Sequence, residues 1–263
     1  KIHFCTPEIL IPMIEKYKIL KIIGEGGFGR TYLVEHEILK KKVVIKQSNF
    51  KSPVAQQIIL NEAGLLWDVN HWALPTVKDV LIGEDQEVLM VMSFIEGDEL
   101  FDYVKTNGPV DAETACWITQ RILSGLYYLH FAGIVHRDVK PANIIVNFTT
   151  HIATLVDFGL SKLKPDGTPD PSGYTPFFGA PEQIAGKAPL PESDIYSLGM
   201  TMLYILGGDI RSKSLPDPVP GLLKDFIYAM IREDPMKRPK SCKELNEELG
   251  EMRKRLFKRG HSL

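Results

Sequence analysis

The segment Gly24-Glu25-Gly26-Gly27-Phe28-Gly29 constrains this chain's fold more than any other short stretch. Tyr17-Lys18-Ile19-Leu20-Lys21-Ile22-Ile23 precedes it and Thr31-Tyr32-Leu33-Val34 follows. Both flanks alternate apolar and polar residues and are rich in β-branched and aromatic side chains, the pattern of strands. Glycines between a strand and a helix would suit a dinucleotide-binding unit, and glycines between two strands make a hairpin instead. Such glycines let the backbone lie close over a ligand, with amides able to face anionic oxygens. No Gly-Lys-Ser or Gly-Lys-Thr occurs anywhere, which excludes the other common glycine-rich loop.

The surrounding pattern divides the chain by texture. A strand is expected at Val43-Val44-Ile45-Lys46, then a helix over 52–69 with Ser52 as N-cap and Pro53 in its first turn. Two further strands are expected at 77–82 and 88–92. After Gly97 helical spacing dominates, over 100–105, 111–132, 193–206, 222–232 and 241–257, with short β pieces at 144–146 and 154–156. The expected fold class is α+β: a small antiparallel sheet with one main helix, then a larger, mostly helical part. The dense prolines and glycines of 165–191 read as a long mobile connection, which is usually functional inside a compact domain.

Composition excludes several classes. The 263 residues are 44% hydrophobic and carry a formal net charge of −2, so the whole-protein basic field of a nucleic-acid binder is absent. Arg253, Lys254, Arg255, Lys258 and Arg259 crowd the C-terminus. They read as a solvated helix end favoured by its dipole, with a contact for an acidic partner or membrane surface as the alternative. Cys5, Cys116 and Cys242 have no metal-ligand spacing, so reduced thiols and a cytoplasmic setting are expected. No run of about 20 apolar residues exists to span a bilayer.

Alternation puts Val44 and Lys46 on one face of their strand. Glu62 falls on the apolar helical stripe of Ile58, Ile59, Leu65 and Leu66. A carboxylate there costs free energy unless it finds a cation, and Lys46 is the natural partner; an edge position pointing to solvent is an equal alternative. The densest chemistry lies in His136-Arg137-Asp138-Val139-Lys140-Pro141-Ala142-Asn143 before an apolar strand, followed by Asp157-Phe158-Gly159. An Asp to accept a hydroxyl proton, Asn and Asp oxygens for a divalent metal, and a Lys with a glycine loop for phosphate are the parts of phosphoryl transfer.

With Ala180-Pro181-Glu182, Asp194 and Arg238 added in order, the sequence over about 17–249 resembles the eukaryotic-type (Hanks-type) protein kinase family. Lys140, two residues after Asp138, resembles the serine/threonine branch, and the wording of the glycine loop is similar to bacterial members. The resemblance implies a bilobal fold: an N-terminal extension at 1–16, a small lobe at 17–92, a hinge at 93–97, a larger lobe at 98–249 and a basic tail at 250–263. It implies ATP and Mg²⁺, or Mn²⁺ in its place, and a protein substrate with a Ser or Thr acceptor.

By the same resemblance, Asp138 orients the acceptor hydroxyl and takes its proton, and Lys140 neutralises the phosphoryl in transit. Asn143 and Asp157 hold the metals. Lys46, steadied by Glu62, holds the α- and β-phosphates beneath the backbone of Gly24, Gly26, Gly27, Phe28 and Gly29. Adenine is implied to sit between the lobes, near Ile23, Thr31, Val44, Met92, Ser93, Phe94, Ile95 and Ile145, with Glu99 on the ribose or as a solvated helix-start carboxylate. Phe158 and His136 belong to an internal stack anchored by Asp194. Thr175 contacts Asp138 and Lys140, and Glu182 pairs with Arg238. Arg137 beside Asp138 suggests control by activation-loop phosphorylation, with Lys162 as a second cation and Thr168 and Ser172 as acceptors. A regulatory partner is compatible with this.

Tyr196 stands where the family usually has Trp, and the short Pro-rich stretch between Gly208 and Leu222 leaves no room for a customary helix. Two other functions share these residues. One is a pseudokinase-like ATP-binding scaffold; the other is a small-molecule phosphotransferase of related fold, which would not be expected to carry Ala180-Pro181-Glu182 or the Thr175 loop.

Overall fold

The computed structural model describes residues 16–26, 29–49, 52–83, 85–170 and 173–257. Contacts divide the chain into two compact units, one of Lys1–Asn70 with Pro75–Ile95 and one of His71–Leu74 with Glu96–Leu263.

The first unit is a five-stranded antiparallel sheet with one helix. Strands β1 (Tyr17–Gly26), β2 (Gly29–His36), β3 (Lys41–Ser48), β4 (Val77–Ile82) and β5 (Val88–Ser93) lie in the order β1-β2-β3-β5-β4. The expected hairpin is present: Gly24 opposes Thr31, Glu25 opposes Arg30 and Gly26 opposes Gly29. An exposed Glu25–Arg30 ion pair at 2.8 Å bridges it. Gly27 and Phe28 lie outside the described residues. Gly29 has φ 146°, and a Cβ there would stand 1.8 Å from the Gln47 carbonyl oxygen, so the start of β2 requires glycine.

Alternation gives the sheet two different faces. Tyr32, Val34, Val43, Ile45, Leu89 and Val91 form an apolar cluster on one. The register sets Thr31, Lys46 and Met90 in one row of the other face and Leu33, Val44 and Met92 in the next. Helix α1 (Pro53–Leu66) starts where Ser52 Oγ accepts the Ala55 amide at 3.2 Å. It buries Ala55, Ile59, Glu62, Ala63 and Leu66, leaving Ile58 and Leu65 only half-buried. The stripe is thus rotated from the expected one, toward the small, buried Ala55 and Ala63. The helix also stops at Leu66, three residues short of the expected end.

The second unit is mostly helical. It contains β6 (Asp98–Glu99), α2 (Leu100–Asn107), α3 (Ala112–Phe131), β7 (Ile134–Val135), β8 (Ile144–Asn147), β9 (Ile152–Leu155), β10 (Lys162–Leu163), α4 (Pro181–Ile184), α5 (Pro191–Ile205), α6 (Gly221–Met230) and α7 (Cys242–Phe257). Asp111 caps α3 by accepting the Thr114 amide at 2.9 Å. Nearly every residue of α5 is buried, against α3 on one side and α6 on another. Gly199 permits that approach: a Cβ there would meet Ile231 at 2.7 Å and Met230 at 2.9 Å. The boundaries of the five helices expected in this unit fall within two residues of expectation, the usual uncertainty of helix ends.

The 165–191 stretch is not a bare connection. It includes α4, and the Asp170 amide donates to the Gly186 carbonyl at 3.1 Å. Between α5 and α6 there is no helix; an Asp209–Ser214 bridge and prolines fill the gap. No described helix is long and apolar enough to cross a membrane.

Candidate active site

In the first unit the Lys46 ammonium donates to Glu62 Oε2 at 2.6 Å. Glu62 is 1% exposed and the Lys46 side chain 22%, so the pair alternative holds and the solvent alternative does not. Thr31 opposes Lys46, and Val44 opposes both Leu33 and Met92. Ser93 Oγ accepts the Thr76 amide, and the Lys42 ammonium lies over the Phe94 ring at 5.6 Å. Ile23 is exposed on β1 and Ile95 half-buried at the unit's end.

In the second unit the loop after β7 gathers the reactive groups. Asp138 Oδ1 accepts the Thr175 hydroxyl at 2.6 Å. Asp138 Oδ2 accepts the Lys140 ammonium at 2.7 Å and the Asn143 amide at 2.9 Å. Lys140 also donates to Thr175 Oγ1 at 2.8 Å. Three side chains therefore converge on the Asp138 carboxylate, two drawn from the loop and one from a residue 37 positions away.

The β8–β9 hairpin sets Asn143 and Asp157 at one end. Ile144 opposes Leu155, and the Val156 amide donates to the Asn143 carbonyl at 2.8 Å. Asp157 has φ 65° and a solvent-exposed carboxylate. Asn143 turns its amide nitrogen toward Asp138, leaving its carbonyl oxygen as an acceptor. Among the described residues no group of three or more His, Cys, Asp or Glu could hold a metal. Two protein oxygens fit Mg²⁺ nevertheless, since that ion is commonly held by one or two protein oxygens with phosphates and water completing the octahedron. In the neighbouring strand pair Glu99 opposes Ile145. Burial, aided by nearby Asp102, raises the Glu99 carboxyl above its ordinary range.

The loop's backbone hangs from Asp194, which is fully buried in the first turn of α5. Its Oδ2 accepts the His136 amide at 2.8 Å and its Oδ1 the Arg137 amide at 2.7 Å. Its Oδ2 also meets the His130 ring at 2.8 Å. The His136 ring stands edge-on to Phe158, 4.6 Å between centroids, and burial pulls its pKa down. Below, Arg238 grips Glu182 through Nη1 at 2.6 Å and Nη2 at 2.8 Å, and Ser193 donates to the same carboxylate at 2.6 Å. Burial pushes the Glu182 carboxyl up, but the Arg238 and Ser193 hydrogen bonds outweigh it and hold the group below the carboxylate range. Tyr196 lies 4.8 Å beneath the Arg238 guanidinium, which gives the substituted aromatic a cation–π role there.

Arg137 is buried, and its Nη1 meets Asp170 Oδ2 at 3.2 Å; Lys162 donates to the same oxygen at 2.6 Å. Thr168 instead donates its hydroxyl to Asp166 at 2.6 Å. Ser172 lies outside the described residues. Sequence reasoning missed Asp170, along with His130, Gln183 and Ser193. The signal for Asp170 was an acidic residue in the segment that was already expected to supply Arg137 with an anion.

Residues 17–249 match the family model of the protein kinase domain, and the chain belongs to that family. Its relatives include serine/threonine-protein kinases of bacteria. It is 30% identical over 253 residues to the SNF1-related protein kinase catalytic subunit alpha KIN12 of Arabidopsis thaliana, covering 89% of this chain and 51% of that one. It is 29% identical over 271 residues to serine/threonine-protein kinase D of Synechocystis sp., covering 91% and 52%. With serine/threonine-protein kinase pkn2 of Myxococcus xanthus it shares 31% over 270 residues, covering 89% and 32%. The chain thus spans about half or less of the length of these relatives.

Proposed function

We propose that this chain transfers the γ-phosphoryl group of ATP to Ser or Thr hydroxyls of protein substrates. The observation that carries the reading is Asp138, whose carboxylate is held on both oxygens by Thr175, Lys140 and Asn143. A carboxylate so oriented can receive the acceptor's hydroxyl hydrogen and aim its oxygen, and Lys140 brings positive charge to where the phosphoryl passes. Lys46, fixed by Glu62, is assigned the α- and β-phosphates, and the Gly24–Gly29 backbone is assigned to cover them. Val44, Thr31, Met92 to Ile95 and Ile145 are assigned the adenine, and Glu99 the ribose. Asn143 and Asp157 would hold Mg²⁺, or Mn²⁺ in its place, which when bound neutralises charge on the phosphate oxygens.

The Thr175 loop and the Glu182–Arg238 pair beneath it support a protein rather than a small-molecule acceptor. Buried free thiols at Cys116 and Cys242 are compatible with a reducing, cytoplasmic compartment. Control is assigned to the segment after Gly159, acting through Arg137. The test is intact mass after incubation with ATP and Mg²⁺, alone and with casein, beside Asp138→Asn. Phosphate added by the parent only, to itself or to casein, is the expected result. No transfer to either would overturn the reading and leave a nucleotide-binding scaffold.

A further inference from the structure

Arg137 is the residue immediately before Asp138, and its backbone is unusually constrained. It has φ 72°, its amide is bound by Asp194, and its carbonyl accepts Gln183 Nε2 at 2.9 Å. Its guanidinium is 4% exposed. A cation buried that deeply needs an anion to compensate its lost hydration. That anion is Asp170, itself 8% exposed, which takes both Arg137 and Lys162 on Oδ2. Lys162 lies in β10, whose partner β7 leads straight into the Asp138 loop. One carboxylate therefore ties together the segment after Gly159, the strand pair and the residue preceding Asp138. Its own amide is anchored to Gly186, so it is held from both ends.

We propose that Asp170 is a positioning residue, a built-in acid that holds residues 159–170 against the Asp138 loop so that the chain needs no phosphate to be active. A phosphorylated hydroxyl could offer Arg137 and Lys162 the same charge-assisted bonds, but the carboxylate already makes them without a modification step. Thr168, with its hydroxyl turned to Asp166, is not part of this clamp. The proposal rests on the phosphotransfer reading for its catalytic consequence, and on geometry alone for the ordering.

The test uses the full chain in a Thr168→Ala/Ser172→Ala background, treated with phosphatase and shown by mass to be phosphate-free. Activity on casein is compared with the same background carrying Asp170→Asn, Asp170→Glu, Arg137→Ala, or Asp170→Asn with Arg137→Ala. The expected pattern is a phosphate-free background within about twofold of the untreated parent, and Asp170→Asn down roughly tenfold or more in kcat with KM for ATP within about twofold. Asp170→Glu should recover most of the loss, and the double variant should be no worse than Arg137→Ala, because the two act as one unit. Loss of activity on removing phosphate, or a parent-like kcat in Asp170→Asn, overturns the proposal. Limited proteolysis of 159–170 separates the two readings. If no variant transfers phosphate, the clamp stands where Asp170→Asn is cut faster than its background and falls where both are cut alike.

Discussion

Thr175 donates its hydroxyl to Asp138 Oδ1 at 2.6 Å from 37 residues further along the chain. That bond links the platform before Ala180 to the reactive carboxylate, so its loss should be felt in chemistry rather than in folding. A hydrogen bond to a charged group contributes about 1.5–3 kcal/mol. Thr175→Ala should therefore lower kcat by roughly 10–100-fold with KM for ATP unchanged, while Thr175→Ser, which keeps the hydroxyl, should lose far less. Steady-state kinetics on casein checks both; equal losses in the two variants would exclude the hydroxyl as the cause.

The Lys46–Glu62 pair is asymmetric in exposure, 22% against 1%, and the two halves should fail differently. Lys46→Met leaves a buried carboxylate uncompensated, whereas Glu62→Gln leaves an ammonium that still reaches water. Removing one partner of a buried pair costs about 3–5 kcal/mol. Lys46→Met should lower Tm by on the order of 10 °C, and Glu62→Gln by distinctly less. Thermal unfolding by circular dichroism reads the order, and the reverse order would contradict the burial argument.

Glu182 gives a pH signature. Its folded pKa lies below the ordinary value of 4.5, so the unfolded chain binds its proton more readily. The resulting stability is fully present above about pH 5 and is lost as pH falls through the lower, folded pKa. Glu182→Gln strands the buried Arg238 and should cost about 3–5 kcal/mol at pH 7. The difference between parent and variant should be flat from pH 7 to 5 and shrink below that. Urea midpoints across pH measure it; a difference that widens in acid would refute the sign.

Burial pushes the Cys116 thiol up to about 12, and Cys242 further still. Thiolate is the reactive form, so iodoacetamide at pH 8 should leave both unmodified in the native protein and alkylate both in urea, as peptide mass mapping would show. Rapid native alkylation of either would mean that its surroundings open readily.

Much of this was legible beforehand, and the reason is local periodicity. Val44 and Lys46 share a face because strands alternate, and Glu62 betrayed its partner by sitting in an apolar stripe. The Gly24–Gly29 hairpin followed from the strand-forming residues on both sides. The α1 stripe lies a fraction of a turn from the one its periodicity predicts, since alanines at 55 and 63 carry little hydrophobic signal yet are buried. Asp170, Gln183 and Ser193 stayed hidden for another reason. They sit in or beside aperiodic segments, and their partners lie 33, 46 and 11 residues away, where no repeat connects them. Nothing in a loop's own composition says which buried cation it will reach.

Asp194 holds two consecutive amides of the Asp138 loop from inside a helix whose first turn is already sealed. Those two hydrogens cannot meet solvent unless α5 itself comes apart. In exchange with deuterated water, the amides of His136 and Arg137 should rank with the slowest in their unit, beside the core of α3 rather than with loops of similar length. The stretch carrying the reactive carboxylate is irregular in shape, yet it should open only with the helix that holds it, and its geometry should persist for as long as the unit stays folded.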